Sequence, residues 1–298
     1  MAEERGFVFH ARDGDVELSI DQVRELAAKD DADGLYALAM AYLFGWDVEP
    51  DEPLGYSYLE RAVDAGQTEA MSMMVRLYMQ GEYDGIDSIK AARYAIIAAE
   101  DGIPEAQLYA GLAYMDGVSV DQNYSEAARL FRLSMNQGNA EARTNLGYLY
   151  QEGLGVGKDE SKAFKLYRTA AKGGNLNALF HLGICHEFGV GTGIDLVMAA
   201  ECYSKGSEGG DAFARERLGY LYAEGIGPEG PDAVRSFECF LGSAMDGVPT
   251  AMYMTGYYYL NGIGVDPDIS EARKWLKMAS DNDVAEATEL LSEIPEAE

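Results

Sequence analysis

Seven alanines stand 36 residues apart along the chain, Ala70, Ala106, Ala142, Ala178, Ala214, Ala251 and Ala287, with one 37-residue step after Ala214; Gly34 fills the same column one period earlier. A fixed period of this length means that each unit is one supersecondary element unable to bury its apolar face alone, so neighbouring units stack into a solenoid. Solenoids present long open surfaces and seldom build closed, water-excluding pockets, which favours binding over catalysis.

Within residues 142–178, Ala142, Leu146, Gly147 and Tyr150 fall on one helical face and define a helix A. It stops at a column that is glycine in every repeat, Gly45, Gly81, Gly117, Gly153, Gly189, Gly225 and Gly262, as a left-handed C-terminal cap prefers. Helix B opens after Asp51, Asp87, Asn123, Asp159, Asp195, Asp232 and Asp268, side chains that accept hydrogen bonds from first-turn amides. Glu126 and Glu271 three residues on complete a capping-box pattern in two repeats. Helix B buries small and aromatic positions such as Ala163, Tyr167 and Ala170, and ends at Gly66, Gly102, Gly138, Gly174, Gly210 and Gly247. Asp283 breaks that last column, which predicts a loss of regularity there. The extra residue belongs to the Gly225–Pro231 loop.

The expected fold is therefore all-α: a single elongated α-solenoid over residues 19–298, with repeats at 33–69, 70–105, 106–141, 142–177, 178–213, 214–250 and 251–286. Ser19 with Gln22 opens an N-terminal capping helix, and 287–298 is half of an eighth repeat closing the other end. Residues 1–18 form an arm without a detectable period.

The pattern of residues 142–174, with its LG pair, its Gly-Val-x-x-Asp turn and the Lys162-Ala163 and Ala170-Ala171 pairs, resembles the Sel1-like repeat, a relative of the tetratricopeptide repeat. The sixth and seventh repeats are close to it; the first two lack the LG pair. The resemblance covers about nine-tenths of the chain and implies a right-handed superhelix that serves as an adaptor in signalling or assembly. Some secreted members carry paired cysteines and are linked to β-lactam binding, but Cys185, Cys202 and Cys239 are odd in number and lack CxxC spacing.

Charge is the second strong signal. The 51 Asp and Glu against 23 Lys and Arg give a net charge of −28, which repels nucleic acid and anionic membranes and attracts basic proteins. There is no apolar core of signal-peptide length and no membrane-spanning run, so a soluble, cytoplasmic monomer is expected.

No catalytic constellation stands out. His186 sits in the column of Tyr42, Tyr78, Tyr114, Tyr150, Tyr222 and Tyr259 and reads as packing; His181 and Cys185 are two ligands without a third or fourth, and His10 lies in the arm. Cys202 and Cys239 share a helix-B column with Tyr58, Tyr94 and Trp275 and read as core thiols. Gly225 to Gly230 fits GxGxxG but follows a helix and is flanked by prolines, unlike a dinucleotide site. SxxK, GxSxG and HExxH are absent. We expect no enzyme activity, cofactor or metal.

By the resemblance, helix A lines the concave wall and the residue after the LG pair points into it. That column carries Tyr148, Tyr220 and Tyr257, and the column one turn earlier carries Tyr36, Phe180, Glu216 and Tyr253. Fifteen basic residues lie on or just before helices B and four on helices A, whereas Glu152, Glu187, Glu216 and Glu224 lie on helices A. An acidic, aromatic wall attracts Lys and Arg by ion pairing and cation–π contact. The expected function is a non-enzymatic adaptor, scaffold or inhibitor that binds a basic or extended protein segment. A cytoplasmic immunity protein masking a basic toxin, and a β-lactam-recognising enzyme or small-molecule binder, are the alternatives.

Overall fold

The computed structural model describes residues 7–11, 14–226 and 231–294; positions 227–230 of the loop that holds the extra residue lie outside them. Two strands, β1 (Phe7–Ala11) and β2 (Gly14–Leu18), pair antiparallel with Phe7 opposite Leu18, so the described part of the arm is strand rather than helix. Leu18 and Ile20 pack on the adjoining helical core. The capping helix follows as α1 (Ile20–Ala27), where Ser19 N–H donates to Gln22 Oε1 at 2.9 Å and Gln22 N–H donates back to Ser19 Oγ.

Seven helical hairpins come next. They are α2 (Ala32–Phe44) with α3 (Glu52–Asp64), α4 (Thr68–Met79) with α5 (Ser88–Glu100), α6 (Pro104–Asp116) with α7 (Tyr124–Asn136), and α8 (Ala140–Glu152) with α9 (Glu160–Lys172). Then follow α10 (Leu176–Phe188) with α11 (Leu196–Glu208), α12 (Ala212–Ala223) with α13 (Ala233–Met245), α14 (Pro249–Asn261) with α15 (Ile269–Ser280), and the half-repeat α16 (Ala285–Glu293). The chain falls into two compact units, residues 1–142 and 143–298, the division lying within α8.

The caps form as their chemistry requires. All seven helix-B caps, from Asp51 to Asp268, accept the amide of the third helical residue at 2.8–3.1 Å. The reciprocal half expected of Glu126 and Glu271 is not made. The cap amides of Asn123 and Asp268 already donate to the carbonyls of Tyr114 and Tyr259 at the end of the preceding helix A, and the two carboxylates turn to Arg129 and Lys274. Ser19 has no such tyrosine before it, and there the full box closes.

Asp283 does not break the array. It takes the left-handed conformation, φ +63°, that the six glycines of its column take at +82° to +99°. An aspartate tolerates that region at a cost glycine avoids, so Asp283→Gly should stabilise by about 0.5–1 kcal/mol, read as a higher urea midpoint.

Each helix A begins about two residues ahead of its periodic alanine, and all seven alanines are fully buried. Facing them is a helix-B column of small residues, including Ala62, Ser134, Ala170, Gly206 and Ser243; a Cβ built on Gly206 would come within 2.8 Å of that of Ala214. The LG glycine has an equally definite task. A Cβ on Gly147 or Gly183 would lie 2.7 or 2.4 Å from Cε1 of Tyr167 or Tyr203, the helix-B aromatics that are themselves fully buried. The glycine is the seat of the ring. In the first two repeats the same columns pair Ala39 with Leu59 and Val75 with Ala95: where the glycine is lost, the facing aromatic is lost too.

Candidate functional site

In the unit of residues 143–298, the A helices are α8, α10, α12 and α14. The residue after each seat glycine, Gly147, Gly219 and Gly256, lies about 100° round the helix from it, which takes Tyr148, Tyr220 and Tyr257 off the side that meets helix B. Tyr148 and Tyr257 are each 37% exposed. Tyr220 is half-buried, edge-on to Phe240 at 4.8 Å, and its hydroxyl is pushed up to about 12 by burial, with Glu216 adding to the shift. One turn earlier come Phe180, Glu216 and Tyr253. Phe180 lies 6.1 Å from Tyr203 and 6.5 Å from Phe213, and Tyr253 lies 6.4 Å from Tyr257. Burial raises the Tyr253 phenol as well.

The carboxylates divide into two kinds. Glu152 and Glu224 are exposed. Glu187 turns inward: it is paired with both the Nε and Nη2 atoms of Arg217 and accepts the Tyr203 hydroxyl at 2.7 Å. Arg217 in turn lies over the rings of Phe188 at 5.3 Å and Tyr220 at 5.5 Å. Glu216 is only 8% exposed, and burial raises its pKa against the opposing influence of the Thr250 hydroxyl and Arg217. Its Oε1 atom has no hydrogen-bond partner. Tyr36 belongs to the other unit, where it lines a cleft of about 220 Å³ with Glu69, Arg76 and Glu105; burial raises its hydroxyl.

Sequence reasoning missed Phe213, Phe188 and Arg217. Phe213 is 58% exposed in a column that otherwise reads Asp33, Glu69, Glu105, Glu141, Asn177 and Thr250, and an apolar ring in a polar column is the signal that could have found it.

The residues weighed for other chemistry are packed. His181 stacks flat on Tyr167 at 4.8 Å, and burial lowers its pKa; His186 meets the edge of Phe164. Burial pushes the Cys185 thiol up to about 12 and those of Cys202 and Cys239 up to about 11, which removes the thiolate character a nucleophile needs. Cys239 is half-buried, the other two fully. Among the described residues no three His, Cys, Asp or Glu side chains converge to hold a metal, and no helix is long and apolar enough to cross a membrane.

The Sel1 repeat family matches seven times in succession, at residues 32–67, 68–103, 104–139, 140–175, 176–211, 212–248 and 249–284. The chain belongs to the Sel1 repeat family. Two solved structures share the α-solenoid architecture. One is c5321, a protective antigen of uropathogenic Escherichia coli with an SLR fold: 25% identity, TM-score 0.69, covering 93% of this chain and 60% of that one. The other is a Sel1 repeat protein from Oxalobacter formigenes: 27% identity, TM-score 0.66, covering 89% of this chain and 100% of that one. An immunity protein from Pseudomonas aeruginosa, PA5088, is a distant likeness at 18% identity and TM-score 0.40, covering 85% and 82%. No curated protein matches the sequence. Sel1 repeat proteins generally mediate protein–protein interaction. The family's repeats start a residue or two before the boundaries read from the alanine period, because the alanine is the third residue of helix A rather than its first.

Proposed function

We propose that this Sel1 repeat protein is a non-enzymatic interaction module whose helix-A face in residues 143–298 binds a basic, extended segment of another protein. The observation that carries this reading is the exposure of Tyr148 and Tyr257, each 37%, in one helix-A column with Tyr220, together with exposed Phe213 and with exposed Glu152 and Glu224 one turn on from Tyr148 and Tyr220. Rings at low conformational cost supply contact area, and the net charge of −28 steers a cationic partner. Arg217 demonstrates the chemistry within the chain, a guanidinium held by a carboxylate and two rings.

Panning the immobilised full chain against a random dodecapeptide library at about 50 mM salt should enrich Lys- and Arg-containing sequences, whose association slows at about 300 mM as steering is screened. Tyr148→Ala and Tyr257→Ala should each weaken the selected peptides by about 1–3 kcal/mol with the melting temperature nearly unchanged, and Lys165→Ala should change neither. Tyr220 is a poorer probe, since its contact with Phe240 adds a folding cost. Enrichment of acidic peptides, or normal binding by both tyrosine variants, would remove the face from consideration.

A further inference from the structure

We infer that Glu216 is the residue of this face that receives the cationic head of one lysine or arginine side chain of the partner; the inference rests on reading the face as a site for a basic segment. Glu216 is more than nine-tenths buried and its carboxylate is hydrogen-bonded by the Thr250 hydroxyl, yet Oε1 meets no donor, and a buried acceptor atom left unsatisfied is costly enough to be rare in folded proteins. No described ion pair includes it, although the charge of Arg217 beside it favours its ionised form. The adjoining Arg217 is committed to Glu187 by two nitrogens and to the rings of Phe188 and Tyr220.

The positions next to Glu216 in the array carry the residue types that hold Arg217. Its column neighbours on the flanking A helices are Phe180 and Tyr253, and one turn either way on its own helix stand Phe213 and Tyr220. A carboxylate among aromatic side chains is the setting in which a cation gains both an ion pair and ring contact. Arg217 occupies one such setting from within; the setting at Glu216 awaits a cation from outside. Removing its charge should therefore act in opposite directions on folding and on binding, a signature that a merely structural carboxylate would not give.

The test uses the full chain with fluorescein-labelled octa-arginine and octa-lysine at about 300 mM NaCl, where exposed charges are largely screened and a buried one is not. Glu216→Gln should bind about tenfold more weakly than the parent protein while its melting temperature rises by a few degrees. Glu152→Gln and Glu224→Gln, which alter exposed carboxylates, should stay within about twofold under the same conditions. If Glu216→Gln binds as the parent does while the parent binds well, the site is overturned and the reading of the face stands. If it melts lower and binds less, Glu216 is a structural group and the inference is equally overturned. If the parent protein binds neither peptide, the basic-segment reading fails and takes this site with it.

Discussion

Tyr203→Ala should lower the unfolding free energy by about 4 kcal/mol, followed as loss of helical dichroism in urea, because a fully buried ring is removed from a seat that cannot collapse around the gap. Tyr203 stands on α11 and rests on Gly183 of α10, so both members of one hairpin lose their contact together. Its hydroxyl adds a separable part. Tyr203→Phe keeps the ring and deletes the donor to Glu187, which should cost about 1.5–3 kcal/mol, the range for a hydrogen bond to a charged group. The two variants also divide core from face. Tyr203 holds Glu187, Glu187 holds Arg217, and Arg217 lies over Tyr220, so losing the hydroxyl alone loosens a chain of contacts that runs from the core out to the proposed binding surface. A Tyr203→Ala variant that melts like the parent protein would mean that the helix-B aromatic column is not what joins the hairpins.

What the sequence discloses of this architecture is what recurs at the period. Asp159 can be read as a cap because its column holds Asp or Asn seven times, and its bond to the Lys162 amide follows from local geometry alone. Interactions made once are not legible that way. The pairing of Glu187 with Arg217 joins residues 30 positions apart in sequence and has no counterpart in the other repeats, so Glu187 reads as one more exposed acid until the fold brings the two helices together. Glu216 is a different case: its column also holds Ser72, Leu108 and Thr144, all buried, so its burial recurs at the period, and what the sequence hides is the unsatisfied Oε1. The pairing of β1 and β2 did carry a signal, the apolar alternation of Phe7, Phe9 and Ala11 followed by that of Val16 and Leu18, but it lies outside the period and a search for repeats passes over it. Asp283 shows the converse, a departure from the column that leaves the backbone unchanged.

The glycine seat makes the sharpest quantitative claim. Gly183→Val should destabilise by about 3 kcal/mol, since even the first added carbon would lie 2.4 Å from Cε1 of Tyr203, and the ring is enclosed on all sides. If the seat and the ring were independent, Gly183→Val with Tyr203→Ala would cost the sum of the two single changes, about 7 kcal/mol. The first two repeats give the opposite expectation. There the chain carries Val75 with Ala95 and Ala39 with Leu59 in the same two columns, each a larger seat with a smaller occupant, and all four residues are buried in one core. The double variant recreates the valine–alanine pair of the second repeat, so it should cost no more than about 4 kcal/mol, a coupling of about 3 kcal/mol between positions 183 and 203. Strict additivity in that cycle would mean that the divergence of the first two repeats owes nothing to the fit between glycine and ring. Strong coupling would make the loss of the LG pair in those repeats a compensated exchange of volume across the hairpin, and would explain how the array keeps its geometry where its sequence pattern fades.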